Sequence, residues 1–324
     1  IFEGLIGLRH VRKKVDEYIQ MVEGAKRRGK DPLEMIEFTF KFVGPPGTGK
    51  TTVARKMGQL FVALGLLGSA EVTSVSASEF STGFVGQAAG KTREIFERAR
   101  GGVLFIDEAY RLHAQGSGGE YMKEAVDEIV NLLTEETFAG KMIVIFAGYE
   151  KEIEELMNNA NPGLNSRVTE KICFEPFDAA DSVELLKLLL EKREVSLTKG
   201  ADNVLLENME RLVGTGEWYS GRSVETLSKR LVRSASASDA STATVTRDML
   251  LQIIEGMMKG KERPTTSKER KPPGPPTCAT AGSSRMKPPP QVNVAAPSCA
   301  QQSAAENEGE AEFERAGGSK EGNL

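Results

Sequence analysis

Apolar positions early in the chain follow a helical period. Val11, Val15, Ile19 or Tyr18, and Val22 fall on one face, and Gly29 with Asp31-Pro32 marks the end of that helix. Alternation then takes over in FTFKFVG (38–44), where Phe38, Phe40 and Phe42 share one side of a strand. A glycine-rich turn leads into a second helical pattern carrying Met57, Leu60, Phe61 and Leu64. Further strands are expected at EVTSV (71–75), VLFI (103–106), MIVIFA (142–147) and KICF (171–174), separated by helices near 90–100, 120–135 and 150–157. Strands that are apolar at every position, alternating with helices, predict an α/β fold whose parallel sheet is covered on both faces. After Pro176 the β pattern stops. Amphipathic stretches near 179–193, 200–213, 221–236 and 246–258 predict a small all-helical subdomain. No internal repeat is found.

The pattern fails altogether beyond Glu262. Residues 263–324 hold 9 of the 14 prolines, and their only Leu, Ile, Val or Phe residues are Val292, Val294, Phe313 and Leu324. Such a stretch buries too little apolar surface to offset its chain entropy, so a disordered Pro-rich tail is expected. KPPGPP (271–276) and KPPP (287–290) read as extended polyproline linker. Pro272, Pro273, Pro275 and Pro276 also resemble a PxxP ligand of an SH3 or WW domain, against the plainer reading of a flexible tail. The expected organisation is a large α/β subdomain over 1–176, a helical subdomain over 177–262 and the tail over 263–324.

Composition narrows the function classes. Of 324 residues 39% are apolar, enough for a real core, and 42 Lys+Arg against 46 Asp+Glu leave a net charge of −4. That balance lacks the basic excess of a dedicated nucleic-acid binder. Three cysteines (Cys173, Cys278, Cys299) without a CxxC pair and two isolated histidines (His10, His113) argue against a disulfide scaffold and a zinc site. No apolar run approaches the roughly 18 residues of a membrane helix. The chain opens at Ile1 rather than Met, so it is expected to be a fragment or a processed product.

Two motifs carry the chemistry. Gly44-Pro45-Pro46-Gly47-Thr48-Gly49-Lys50-Thr51, followed by Thr52, is a full G-x-x-x-x-G-K-[ST] match between an expected strand and an expected helix. Glycines let backbone N–H groups curl around phosphates, and the helix presents its positive end to the same anion. Lys50 then reaches the β- and γ-phosphates, and the Thr51 hydroxyl ligates Mg²⁺. The second motif, Val103-Leu104-Phe105-Ile106-Asp107-Glu108, is an apolar strand ending in two carboxylates. A parallel strand ends at the ligand crevice. Asp107 is therefore placed to hold Mg²⁺ and Glu108 to polarise an attacking water.

With both motifs in place the chain resembles the AAA+ ATPases from about Gly4 to Met258. Within them it is similar to the group of red-type rubisco activase and the stage V sporulation protein K-like ATPases. GLIGL (4–8), GPPGTGKT (44–51), GFVGQAAGKT (83–92), GGVLFIDEAY (101–110), AGY (147–149), NPGLNSRV (161–168) and SGRSVETL (220–227) carry the resemblance. It implies a P-loop domain with a helical C-terminal lid, ATP and Mg²⁺ as ligands, and a homo-oligomeric ring, a hexamer. Ile6 and Gly7 match the stretch lining the adenine pocket, and Arg167 matches the arginine finger that completes a neighbouring subunit's site. Arg222 matches the second sensor on the lid, and Phe84 matches the pore-loop aromatic that grips a threaded peptide. The plainer readings are a surface salt bridge for each arginine and ordinary packing for Phe84. Tyr149 stands where many AAA+ proteins place an Asn as first sensor, with Asn158 and Asn159 as alternatives. Asn165 stands where relatives carry an additional Arg.

The implied function is an ATP-hydrolysing motor that remodels a protein client, rubisco being one option. It would be intracellular and soluble, in the cytoplasm or an organelle such as a plastid. The rival readings are an ATP-dependent assembly module doing little mechanical work, and a nucleic-acid motor. The net charge and the lack of a basic-aromatic tract weigh against the latter.

Overall fold

The computed structural model describes residues 5–81, 86–113, 119–216, 218–236 and 243–259. The chain divides into two units at Thr265/Thr266. The second unit, with the Pro-rich segments, lies outside the described residues, as do Cys278 and Cys299.

Five parallel strands form the sheet: β1 (Thr39–Val43), β2 (Val72–Ser76), β3 (Val103–Asp107), β4 (Ile143–Gly148) and β5 (Glu170–Cys173), in the spatial order β2-β3-β4-β1-β5. Val43 pairs with Gly148, and Ile106 with Phe146, so the C-terminal ends of β1, β3 and β4 reach one edge together. Helices α1 (Arg9–Arg27) and α2 (Lys50–Ala63) cover one face. Helices α3 (Ala88–Ala99), α4 (Gly119–Leu132), α5 (Glu150–Asn159) and α6 (Pro162–Arg167) cover the other.

The pleat explains why the central strands are apolar at every position. Val103, Phe105, Ile143 and Ile145 pack with Phe40 and Phe42 toward α1 and α2, whereas Leu104, Ile106, Val144 and Phe146 pack toward α3–α6. The two flanking strands are edges and read differently. β2 buries only Val75, and β5 buries only Ile172. In α1 the inward position is taken by Tyr18, 2% exposed, and Ile19 is only partly buried.

The C-terminal part contains α7 (Ala179–Glu191), α8 (Lys199–Val213), α9 (Ser220–Ser236) and α10 (Arg247–Lys259) around a separate core of Leu186, Leu205, Leu212, Leu227 and Ile254. To these helices the structure adds one small element. β6 (Ser196–Leu197) and β7 (Thr244–Val245) form a two-residue parallel pair. Two residues are too few to leave an alternating pattern. No helix among the described residues is long and apolar enough to cross a membrane.

Candidate nucleotide-binding site

The sheet edge opens into a cleft of about 960 Å³. Its floor comes from β1 through the turn Gly44, Pro46, Gly47 and Gly49, and from Lys50, Thr51 and Thr52 on the first turn of α2. One side carries Asp107 and Glu108 from the end of β3, with Tyr149 after β4. The roof is Arg222 and Tyr219 at the start of α9, and Ile6 closes the remaining side with Leu5 and Leu8.

Lys50 folds back onto the turn. Its Nζ donates to the carbonyls of Gly44 at 2.7 Å and Pro45 at 2.8 Å, the loop's own backbone. Burial pushes its pKa down; Asp107 opposes the shift and Arg222 adds to it. Among the described residues no carboxylate is in hydrogen-bond contact with this half-buried ammonium, so its charge is available to an anion in the cleft. Thr48 is buried and donates to the Pro45 carbonyl, which shapes the turn from inside rather than lining the cleft. Gly47 has φ +79°, and a Cβ there would run into the Tyr219 carbonyl and lie 3.1 Å from the Arg222 Cβ. Only glycine lets α9 come this close, and the contact is sealed by the Gly221 N–H donating to the Gly47 carbonyl at 2.9 Å. Gly7 stands just behind the lining, against Asp181 and Phe177.

The acidic pair is differentiated. Asp107 accepts from the Glu108 N–H at 3.0 Å and turns into the cleft. Glu108 sits at φ 50°, in the left-handed region that a non-glycine residue rarely adopts. Its carboxylate is held by Arg111 Nη2 at 2.9 Å and approached by the Tyr110 hydroxyl at 3.4 Å. The Tyr110 ring packs 6.3 Å from that of Tyr149. Among the described residues no three His, Cys, Asp or Glu side chains converge as a metal cage. Mg²⁺ needs none, because it takes one or two protein ligands and fills its octahedron with phosphate oxygens and water. The Thr51 hydroxyl and the Asp107 carboxylate are the donors that would hold it, and the cation would offset charge on the phosphates. The residues present fit a nucleoside triphosphate with Mg²⁺.

Arg167 is elsewhere. It ends α6, lies outside the cleft lining, and its Nη1 donates to the Gly163 carbonyl at 2.9 Å. Asn158 and Asn159 also lie off the cleft, and Asn158 accepts from Asn165 at 3.1 Å. Asn165 in turn accepts from Lys41 Nζ at 3.4 Å. Phe84 lies outside the described residues, so its expected place in a pore has no structural counterpart here.

The sequence profile of the "ATPase family associated with various cellular activities (AAA)" matches residues 40–176, the stretch that builds the sheet and the cleft floor. A protein named "Protein CfxQ homolog" from Galdieria sulphuraria is 34% identical over 222 residues, 68% of this chain and 72% of that one. The chloroplastic ribulose bisphosphate carboxylase/oxygenase activase of Cyanidioschyzon merolae is 31% identical over 222 residues, 68% and 75% of the two chains. Stage V sporulation protein K of Bacillus subtilis is 31% identical over 239 residues, 71% of each. The chain belongs to the AAA family of ATPases. Within this family it falls in the AAA+ group of those three relatives.

Several residues of this AAA ATPase's cleft escape a reading by motif. Phe177, Leu185, Leu188 and Leu189 supply an apolar wall, and Lys192 and Glu225 flank it. Phe177 and these leucines, with Ile6 and Leu8, give the cleft an apolar lining suited to a base, in addition to the polar turn suited to phosphates. The leucines of α7 share a helical period with core residues such as Leu186 and Leu190, so spacing alone does not set them apart. Tyr110 had a signal, standing two residues after Glu108 in GGVLFIDEAY, but only its contacts with Glu108 and Tyr149 give it a place.

Proposed function

We propose that the protein is an ATP-hydrolysing motor that assembles as a homo-oligomeric ring, a hexamer, and remodels a protein client. Residues 1–176 act as the nucleotide-binding subdomain and 177–262 as its lid. ATP lies with its base on the apolar wall and its phosphates on Gly44–Thr52. Lys50 neutralises the β- and γ-phosphates, Thr51 and Asp107 hold Mg²⁺, Glu108 orients and deprotonates the attacking water, and Arg222 reports the γ-phosphate to the lid. Tyr149, which lines the cleft, takes the part of first sensor in this reading. Phe84 belongs to the client-gripping loop. An intracellular setting, in the cytoplasm or an organelle, goes with this reading. Relatives named for rubisco activation make rubisco one candidate client.

One observation carries the proposal of a ring. Glu108 faces the cleft and Arg167 does not, so the guanidinium that would complete the phosphate site serves another subunit's cleft. A planar, permanently charged fork suits that task. The test is complementation between Arg167→Ala subunits, whose cleft is whole, and Glu108→Gln subunits, whose finger is whole. Each alone is expected to be nearly inactive, and the mixture to recover turnover at interfaces that pair an intact carboxylate with an intact finger. A mixture no faster than its parts would contradict action between subunits.

A further inference from the structure

Arg167 sits at the end of a helix too short to hold its own direction. α6 has six residues, and isolated helices of that length are unstable in water, so its ends must be fixed from outside. At the C-terminal end the Thr39 hydroxyl donates to the Arg167 carbonyl at 2.6 Å. At the N-terminal end Asn161 caps the helix, its Oδ1 accepting from the Gly163 N–H at 2.7 Å.

The other half of the Asn161 amide is also engaged. Nδ2 donates to Asp127 Oδ1 on α4 at 2.6 Å, a short, charge-assisted bond across 34 positions of sequence. Among the described residues Asp127 has no Lys or Arg partner within ion-pair distance, so the amide is the one polar contact described for its carboxylate. Gly163 closes the relay, because the residue whose N–H is held by Asn161 also offers its carbonyl to Arg167 Nη1. A Cβ at Gly163 would lie 2.7 Å from Nη1 and 3.0 Å from Val130 Cγ1, so only glycine leaves the guanidinium room beside α4.

The resting place of Arg167 is a perch rather than a structural ion pair. Among the described residues its Nε is buried without a hydrogen-bond partner, and its Nη1 rests on a backbone carbonyl rather than a carboxylate.

We propose that Asp127 is a positioning residue for Arg167, acting through Asn161 and Gly163. The inference rests on the reading of Arg167 as a finger acting on a neighbouring subunit's nucleotide. Loss of the Asp127 oxygen frees Asn161 to turn, loosens the first turn of α6 and lets the guanidinium wander. Misplacement of a catalytic group by about 1 Å can cost on the order of 10²-fold in rate.

The experiment compares Asp127→Ala, Asp127→Asn and Asn161→Ser as full-length proteins. Asp127→Ala is expected to lower kcat for ATP by about 10- to 100-fold with KM and melting temperature little changed. Asp127→Asn keeps an acceptor oxygen and is expected to stay close to wild type. Asn161→Ser keeps a cap on Gly163 but cannot reach Asp127, so it should reproduce the kcat defect; it carries the test if Asp127→Ala fails to fold. Mixing Asp127→Ala with Glu108→Gln subunits should restore turnover, because the Asp127→Ala cleft then receives a well-placed finger. A role only in folding would lower the melting temperature and would not be complemented. Wild-type kcat in both Asp127→Ala and Asn161→Ser overturns the proposal. If Arg167→Ala is complemented by Glu108→Gln and Asp127→Ala is not, the positioning role falls while the finger stands. If Arg167→Ala is not complemented, the finger reading fails and this inference fails with it.

Discussion

Lys50 and Glu108 are held differently, the first by carbonyls of its own turn and the second by an ion pair with Arg111. The Lys50 ammonium rests on carbonyls of its own turn, with burial lowering its pKa, so a polyphosphate offers it a better partner than the backbone does. Lys50→Ala is therefore expected to weaken ATP binding by at least about two orders of magnitude, since a charge-assisted bond in a half-buried site contributes roughly 1.5–3 kcal/mol and this side chain makes more than one. Titration with a fluorescent ATP analogue measures it, and unchanged affinity would remove the phosphate assignment. Glu108→Gln keeps the shape and loses the base. It should bind ATP as wild type does and hydrolyse it about 10²–10⁴-fold more slowly, read by single-turnover phosphate release. At this scale the sequence was legible wherever chemistry demands a fixed spacing, as from Gly44 to Thr51. It was silent on the contact between Asp127 and Asn161, because a hydrogen bond between residues 34 apart leaves no periodic trace.

Among the elements, α2 matters most, since it presents Lys50 and Thr51 at its first turn and is anchored at the far end by Phe61. Phe61 is fully buried, with its ring 5.5 Å from that of Phe38 and 6.1 Å from that of Tyr18. Truncation to alanine leaves a cavity in this aromatic cluster, so Phe61→Ala is expected to cost about 3–5 kcal/mol in urea unfolding. A loss under 1 kcal/mol would mean that α2 is not held there. The apolar alternation of β3 and β4 was readable because both faces of a central parallel strand are buried. The edge strand β2 gave a fainter signal with one buried valine. α6 and the β6–β7 pair were not readable, being too short for a period and fixed by distant partners such as Thr39. Neither were the leucines of α7 that face the cleft, since burial against a base and burial against a core ask for the same side chains.

For the whole molecule, the start of α9 is joined directly to the glycine-rich turn through Gly221 and Gly47, the contact through which the proposed lid would sense the nucleotide. The segment 263–324 is composed too poorly in apolar residues to contribute a core. Its removal is expected to leave the melting temperature within about 2 °C, the size of a surface effect below roughly 0.5 kcal/mol, and the ATPase rate unchanged. A large loss of stability would place the boundary elsewhere. In the proposed motor, hydrolysis belongs to the assembly and not to the single chain. ATPase activity per subunit, measured across protein concentrations that span assembly, tests this directly. A rise with concentration to a plateau is expected, with Arg167→Ala staying lower by about 10³–10⁵-fold throughout, the contribution of an arginine finger. Activity per subunit that is constant from dilute monomer to saturated assembly, or an Arg167→Ala protein as fast as wild type, would contradict it.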